Sequence, residues 1–404
     1  MECPYPESRA ESWPVVIIGA GPAGTATALF LAELAPDLAS QTLVLDRAVH
    51  PRFKVCAGGL IPQTRRCLND LGVDLNIPHV TVARAIARTP VGSVEHVEES
   101  SLTVVRRDEF DALLVSQCMQ KGVRVRQAEK ALDVREEADH VRVVTERALY
   151  RASIVVGADG SGSLVRRRLF GRAEDTVGRA IMSDIPLTDA TMWERAEGQC
   201  EFDFRAVADG LRGYAWIFPC RIQGALYWNI GVYASQAQGS GFPMRTLLAR
   251  TMSNVVGSSS SRVYAYPIRL YRPGVRIARR HALLVGDAAG VDPLMGEGIS
   301  FAMEYGRVAA ETIVAAWKRG DCVVAEYQQR VEQSWLGRKL RRLSWLESMM
   351  YGAMSPLWFR IATRNHKLRE VGLRWYNGVD GLDRMTVFEA LRRLGRSRGA
   401  GNKH

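Results

Sequence analysis

The sequence predicts an α/β protein with a parallel-sheet domain that opens on a βαβ unit, a second domain built on an antiparallel sheet, and a set of C-terminal helices. Three observations predict it. Near the N-terminus an apolar strand runs into a glycine-rich turn and a helix of small residues. Two strands much later in the chain end in turns carrying Gly and Asp, and between those two lies a stretch dense in aromatic and β-branched residues.

Taken in order, the elements begin with a strand at Val15 to Ile18, a helix over roughly Ala23 to Leu34 and a strand at Thr42 to Asp46. Further strands fall at Ser153 to Gly157 and Ala282 to Gly286. Gln199 to Phe204, Gly213 to Phe218 and Leu226 to Tyr233 read as antiparallel sheet. Helical spacing returns after Gly298, where Leu336, Leu340, Leu343, Leu346 and Met350 keep to one side of a helix. No repeat or low-complexity linker interrupts the chain; only Ser258 to Ser261 and the Gly-rich, basic end read as loose. The expected division is a first domain over 13–175, with an embedded segment 60–105 that serves the second. The second domain covers 176–272, the first closes over 273–330, and a helical basic and aromatic region fills 331–404.

A chain of 404 residues, 47% hydrophobic and 24% charged, can bury a sizeable core. Its seven cysteines are spread thinly without a CxxC pair, which predicts neither a disulfide framework nor a metal site. No secretory signal and no bilayer-length apolar run is read, so the expectation is a cytoplasmic protein, soluble or peripheral to a membrane. The net charge of +11 is local: from Val331 onward there are fifteen Lys or Arg against six Asp or Glu. Trp335, Trp345, Tyr351, Trp358, Phe359, Trp375 and Tyr376 are interleaved with them, a mixture that suits a membrane surface, an apolar ligand or simply closing helices with solvated Arg faces. No zinc-finger or RNA-recognition spacing supports nucleic acid as a partner.

Chemistry begins at Val15-Val16-Ile17-Ile18-Gly19-Ala20-Gly21-Pro22-Ala23-Gly24. Gly19 permits the tight turn, Gly21 lets a pyrophosphate approach the backbone, and Gly24 lets the helix pack closely on the strand, with the phosphate at the helix N-terminus. Asp46 closes the second strand, where a carboxylate can accept hydrogen bonds from an adenosine ribose. Val155-Val156-Gly157-Ala158-Asp159-Gly160 and Leu284-Val285-Gly286-Asp287-Ala288 each expose a carboxylate at a strand end, where it can receive a ribityl hydroxyl or cap the following helix.

These segments, in this order, resemble the FAD-binding segments of glutathione-reductase-type flavoproteins, the group that includes aromatic hydroxylases, flavin-dependent halogenases and geranylgeranyl reductases. The resemblance covers roughly Val15 to Arg342. It implies a Rossmann-like FAD-binding domain in which Gly24, Asp46 and Arg107 hold the ADP half, Ala131 lines the adenine site and Asp287 holds the ribityl chain. Backbone N–H groups of Gly298 and Ile299 would lie near the isoalloxazine ring. With Gly19, Gly21, Ala23, Arg47, Ala57, Gly58, Leu60, Asp159, Gly286 and Gly296, these are the expected cofactor-binding residues.

Three further segments resemble geranylgeranyl reductases in particular. Lys54-Val55-Cys56-Ala57-Gly58-Gly59-Leu60 is similar to their KxCxGGL, and makes Cys56 the candidate proton donor. Gly213-Tyr214-Ala215-Trp216-Ile217-Phe218-Pro219 is similar to YxWxFP; in a strand Tyr214, Trp216 and Phe218 point one way, as an aromatic wall for an isoprenoid chain would. Pro293-Leu294-Met295-Gly296-Glu297-Gly298-Ile299 is similar to PxxGxGI, and sets a helix N-terminus toward the flavin. The catalytic candidates are Cys56, Tyr214 and Trp216.

The expected activity is an FAD-dependent saturation of carbon–carbon double bonds in the isoprenoid chain of a lipid, quinone or pigment precursor. The flavin supplies hydride, Cys56 the proton, and NADPH or ferredoxin the electrons. Arg338 and Lys339 read either as a solvated pair or as a clamp for a charged head group. The rival readings are a flavin monooxygenase or halogenase, an electron-transfer flavoprotein serving quinone, and a binding protein that has lost its flavin.

Overall fold

Strand β1 (Glu11–Ile18) is buried on both faces from Val15 to Ile18, as a strand must be where helices cover both sides of its sheet. The computed structural model describes residue 8 and residues 10–171, 177–188, 192–193, 196, 198–236, 241–257 and 261–378, apart from the side chains of 99–101. Most of the Ser258 to Ser261 run and the basic chain end lie outside these.

Helix α1 (Pro22–Leu34) starts on a proline, whose missing N–H costs nothing in a first turn. The short α2 (Pro36–Ala39) returns the chain to β2 (Thr42–Leu45), parallel to β1. The chain then leaves this sheet for β3 (Gly59–Leu60), α3 (Pro62–Asp70), β4 (His79–Thr89) and β5 (Gly92–Val105), and comes back through α4 (Arg107–Gln120) to β6 (Arg124–Arg126), beside β2. An antiparallel ribbon of β7 (Ala131–Glu136) and β8 (Val141–Thr145) leads into β9 (Leu149–Gly157), parallel to β1. Next come β10 (Val177–Pro186), β11 (Gln199–Asp203), β12 (Gly213–Ile222), β13 (Ala225–Ala234), α5 (Met244–Val256) and β14 (Tyr264–Arg269). Strand β15 (Ala282–Leu284) rejoins β9 in parallel. The chain closes with α6 (Ile299–Arg319), α7 (Tyr327–Gln333), α8 (Trp335–Tyr351), α9 (Ser355–Arg364) and α10 (His366–Tyr376).

The first sheet has the order β6-β2-β1-β9-β8-β7, with β15 beside the second half of β9; the second has the order β14-β10-β13-β12-β11-β4-β5-β3. The second sheet is antiparallel except where β4 and β11 run parallel, an exception that the sequence reading lacked. Register decides where function can sit. Ile18 lies opposite both Leu45 and Gly157, and Gly157 opposite Leu284, so four parallel strands stop level and the turns after them emerge along one edge.

Helices hold that edge in place by close backbone packing. A Cβ on Gly24 would lie 1.9 Å from the Gly19 carbonyl oxygen, and one on Gly306 in α6 would lie 2.7 Å from the Thr27 nitrogen in α1. Alternation divides β12 between two environments: Ala215 and Ile217 join Ile230, Val232, Leu248 and Met252 under α5, while Tyr214, Trp216 and Phe218 face the other way. Among the described residues no helix is long and apolar enough to cross a membrane.

Trp216 pairs across strands with Gly231, where a Cβ would lie 2.0 Å from the indole. Gly231→Ala is therefore expected to lower stability by roughly 1–3 kcal/mol through overpacking and to alter the near-ultraviolet dichroism of the tryptophans. Urea unfolding checks this, and a variant as stable as the parent would show that the indole does not fill that space.

Candidate active site

One cleft of about 1300 Å³ begins at the level strand ends and runs beneath the second sheet to the C-terminal helices. At the nucleotide end, Gly21 is the N-cap of α1 and no side chain caps that terminus, so the first turn presents free amide donors to the cleft. Gly19 adopts φ +112°, and a Cβ there would lie 2.3 Å from the Ala158 carbonyl oxygen. Asp46, buried, accepts from Ala20 N at 2.7 Å through one oxygen and from Ala48 N at 2.8 Å through the other. Each oxygen keeps acceptor capacity for a hydroxyl.

Two guanidinium groups share one carboxylate on this wall. Arg107 forks onto Asp111 at 2.8 and 3.0 Å, and Arg52 reaches the same carboxylate at 2.9 Å. Asp111 is fully buried, so one negative charge fixes two cations and leaves a net positive charge beside Gly21. Arg52 Nη1 is buried without a hydrogen-bond partner. Sequence reasoning missed Arg52, whose only signal was a cation just ahead of the Lys54-Val55-Cys56 segment.

Along the cleft, Asp159 Oδ2 accepts from Leu164 N at 2.5 Å and Val165 N at 3.2 Å, so the capping reading of this residue holds, while its buried Oδ1 has no partner. Asp287 accepts from Ser161 Oγ at 3.0 Å, and its other oxygen faces Gly298. Cys56 is half-buried; its sulfur accepts from Gly58 N at 3.3 Å and lies within the electrostatic reach of the Arg107 guanidinium. Lys54 lies over the Tyr266 ring at 3.1 Å. Burial pushes its ammonium down to about 8, an effect that Asp287 opposes and Arg107 and Arg52 reinforce.

Beyond this point the cleft becomes an aromatic chamber. Phe202, Phe204, Tyr214, Trp216, Phe218 and Tyr233 interlock with centroid spacings of 5.1 to 6.3 Å. Their polar atoms are tied off: Tyr214 Oη donates to the Met295 carbonyl at 2.7 Å, and Trp216 Nε1 to Asn229 Oδ1 at 2.7 Å. Tyr214 and Trp216 therefore offer ring faces to the chamber rather than a ready proton. Small residues Ala85 and Ala87 on β4 leave room opposite, and α8, α9 and α10 complete the wall.

The chain matches a family model described as an FAD binding domain over residues 12–332. It is 30% identical to a menaquinone reductase of Mycolicibacterium smegmatis over 325 residues, covering 74% of this chain and 76% of that protein. It is 29% identical to digeranylgeranylglycerophospholipid reductase 1 of Methanopyrus kandleri, covering 80% and 85%. The chain belongs to the geranylgeranyl reductase family of FAD-dependent oxidoreductases. The fold agrees: a geranylgeranyl bacteriochlorophyll reductase-like protein from Thermoplasma acidophilum superposes with a TM-score of 0.70 at 21% identity, over 85% of this chain and 88% of that one.

FAD is thus the cofactor of this flavoprotein, and the cleft fits it. The uncapped α1 terminus and the unpartnered Arg52 donor suit a pyrophosphate, and the half-engaged carboxylates suit hydroxyl groups. Of the residues expected from sequence, Gly19, Gly21, Ala23, Asp46, Arg47, Cys56, Ala57, Gly58, Arg107, Ala131, Asp159, Tyr214, Trp216, Asp287, Gly296, Gly298 and Ile299 line the cleft. Gly24, Leu60 and Gly286 lie behind its wall. Gly24 packs on Gly19, Leu60 is fully buried, and a Cβ on Gly286 would lie 2.7 Å from Ala23.

Two expectations are corrected. Ile299 N–H does not point freely into the cleft: it donates to Glu297 Oε1 at 2.9 Å, as does Ser300 N–H, and Ser300 Oγ donates to Glu297 Oε2 at 2.5 Å. Glu297 is its own helix's cap. Lys339 is neither a solvated cation nor a head-group clamp. It is buried, with its ammonium 4.5 Å from the Trp335 ring and within 6 Å of Phe301, Trp375 and Tyr376, and it donates to the Tyr376 carbonyl at 2.6 Å. Heptad spacing located this residue's helix but carried no signal for the cage.

Burial pushes the Glu297 carboxyl from 4.5 up to about 7, with Asp292 adding to the rise and Ser300 and Lys339 opposing it. The folded protein binds this proton more tightly than the unfolded chain does. The associated stability is full below pH 4.5 and is lost as pH rises through 7. Asp292, pushed by burial from 3.8 up to about 6, acts in the same direction over a lower window. Thermal midpoints measured across this range should decline less steeply for Glu297→Gln than for the parent; parallel declines would remove Glu297 from the effect.

Proposed function

We propose that this flavoprotein reduces carbon–carbon double bonds in the isoprenoid chain of a lipid, quinone or pigment precursor, with NADPH or ferredoxin as the source of electrons. The observation that carries the reading is the continuity of the cleft. Groups suited to FAD lead without a break into a chamber of aromatic rings and alanines whose hydrogen-bonding atoms are already engaged. An isoprenoid chain offers methyl groups and double bonds, and asks for that kind of wall. The names of the similar reductases support the same class of substrate.

Bound FAD would supply a hydride to one alkene carbon. The chain's part is to hold the alkene against the aromatic wall, exclude water and deliver a proton to the second carbon. Cys56 is the proposed donor. Its sulfur sits on the cleft wall where the chamber meets the cofactor segments, and Gly58 N and Arg107 can stabilise the thiolate left behind. Lys54, whose ammonium is made more acidic by burial, lines the same cleft.

The holoprotein, reduced anaerobically and mixed with geranylgeranyl lipids or a prenylated quinone, is expected to reoxidise its flavin and release a product two hydrogens heavier per bond. A reduced flavin indifferent to every prenyl substrate, yet rapidly consumed by oxygen in the presence of an aromatic compound, would move the protein to the monooxygenase class. Asp287→Ala should purify with markedly less flavin, read from the visible-to-ultraviolet absorbance ratio. Cys56→Ala should keep its flavin but slow single-turnover reoxidation by about a hundredfold, and an undiminished rate would eliminate the thiol as donor.

A further inference from the structure

The outer face of α8 and α9 has no partner among the described residues, although it is markedly apolar. Trp345 is 57% exposed, Met354 50%, Leu357 48% and Ile361 39%. Met354, Leu357 and Ile361 are spaced three and four residues apart and form one stripe along α9. The opposite side of the same helix faces the chamber: Phe359 is buried, with its ring 5.8 Å from that of Phe204. Helix α9 is thus a partition with an apolar surface on both sides.

Two residues join those sides. Trp345 and Ile361 line the cleft and are exposed, so the cleft opens through this patch. The tip of the β4–β5 hairpin lies at the same end: a Cβ on Gly92 would touch Thr363 at 3.5 Å, and neighbouring Val91 is exposed. Charge on the face has one sign. Helix α9 contains no Asp or Glu, and Arg341, Arg360, Arg364 and Lys367 are exposed around the stripe. An apolar stripe rimmed by cations matches the boundary of an anionic bilayer, where side chains such as Leu enter the acyl region and Arg meets lipid phosphates. A soluble protein partner would not require the patch to open into an apolar chamber.

We infer that the exposed face of α8 and α9 docks on an anionic lipid bilayer and that a prenyl chain passes from the bilayer into the cleft between Trp345 and Ile361. The inference rests on the reading of the chamber as an isoprenoid site and gives that site its entry. Met354 and Leu357 lie on the face but not on the cleft wall, so they test docking without touching the chamber.

The full-length holoprotein is mixed with vesicles of phosphatidylcholine alone and with vesicles containing about a third phosphatidylglycerol, and bound protein is measured by flotation. Expected are strong binding to the anionic vesicles, weak binding to the neutral ones, and a loss of roughly fivefold or more in the Met354→Gln, Leu357→Gln double variant. That variant should turn over a detergent-solubilised prenyl substrate at the parent rate. Equal flotation of parent and variant, or no binding to anionic vesicles, would overturn docking. So would a parent dimer that the double variant dissolves, since a second copy would then cover the face. Specific flotation by a protein that reduces no prenyl substrate would uphold docking and sink the reaction assigned to the cleft.

Discussion

Four parallel strands that end level place four turns side by side, and the polar groups of those turns need partners that the sheet no longer supplies. The chain meets part of the need itself. Asp46 takes the Ala20 amide, Asp159 takes those of Leu164 and Val165, and Asp287 takes the Ser161 hydroxyl. Each carboxylate is held in place yet not saturated. The same edge carries the open terminus of α1 and two guanidinium groups fixed by Asp111. The outcome is a rim of oriented acceptors next to a positive pole, which is the complement of a ligand made of hydroxyl groups and phosphates.

The two sheets act as one site because phenols fasten them together. The loop from Val291 to Gly298 carries the turn into α6, and tyrosines from four elements donate to it. Tyr233 donates to the Pro293 carbonyl, Tyr214 to that of Met295, Tyr351 to that of Leu294, and Tyr376 to the Asp292 carboxylate. A tyrosine serves both demands at once, because its ring is apolar enough for the chamber wall while its hydroxyl satisfies a buried acceptor. Gly296, at φ +68°, completes the fit by letting the loop lie flat against the Tyr233 ring.

Features that depend on local rules were readable from residues. The glycines at 19, 21 and 24, the carboxylates closing strands, and the alternation of Tyr214, Trp216 and Phe218 each express a constraint within a few positions of chain. What sequence could not reveal depends on convergence. Arg52 and Arg107 are 55 residues apart and become one anion-facing pair only through Asp111. Lys339 looked like surface because it follows Arg338 in a basic run, whereas tertiary packing encloses it in aromatic rings. The parallel pairing of β4 with β11 is likewise invisible, since nothing in either strand encodes its neighbour's direction. The expected donor at Ile299 failed for a local reason: Glu297, two residues earlier, could reach back to the same amide.

The chamber's floor and ceiling come from different parts of the molecule. The floor is the second sheet, tied to the cofactor edge of the first through the hydroxyls of Tyr214 and Tyr233; the ceiling is α9 and α10, late in the chain and moored by Lys339, Tyr376 and the Phe204–Phe359 contact. Bore and depth can thus be retuned by exchanging side chains in two helices, with no disturbance to the strands that set the redox centre. Selection among apolar ligands is mechanically separable from electron delivery, and one scaffold can be refitted for new ligand shapes while its cofactor edge stays unchanged.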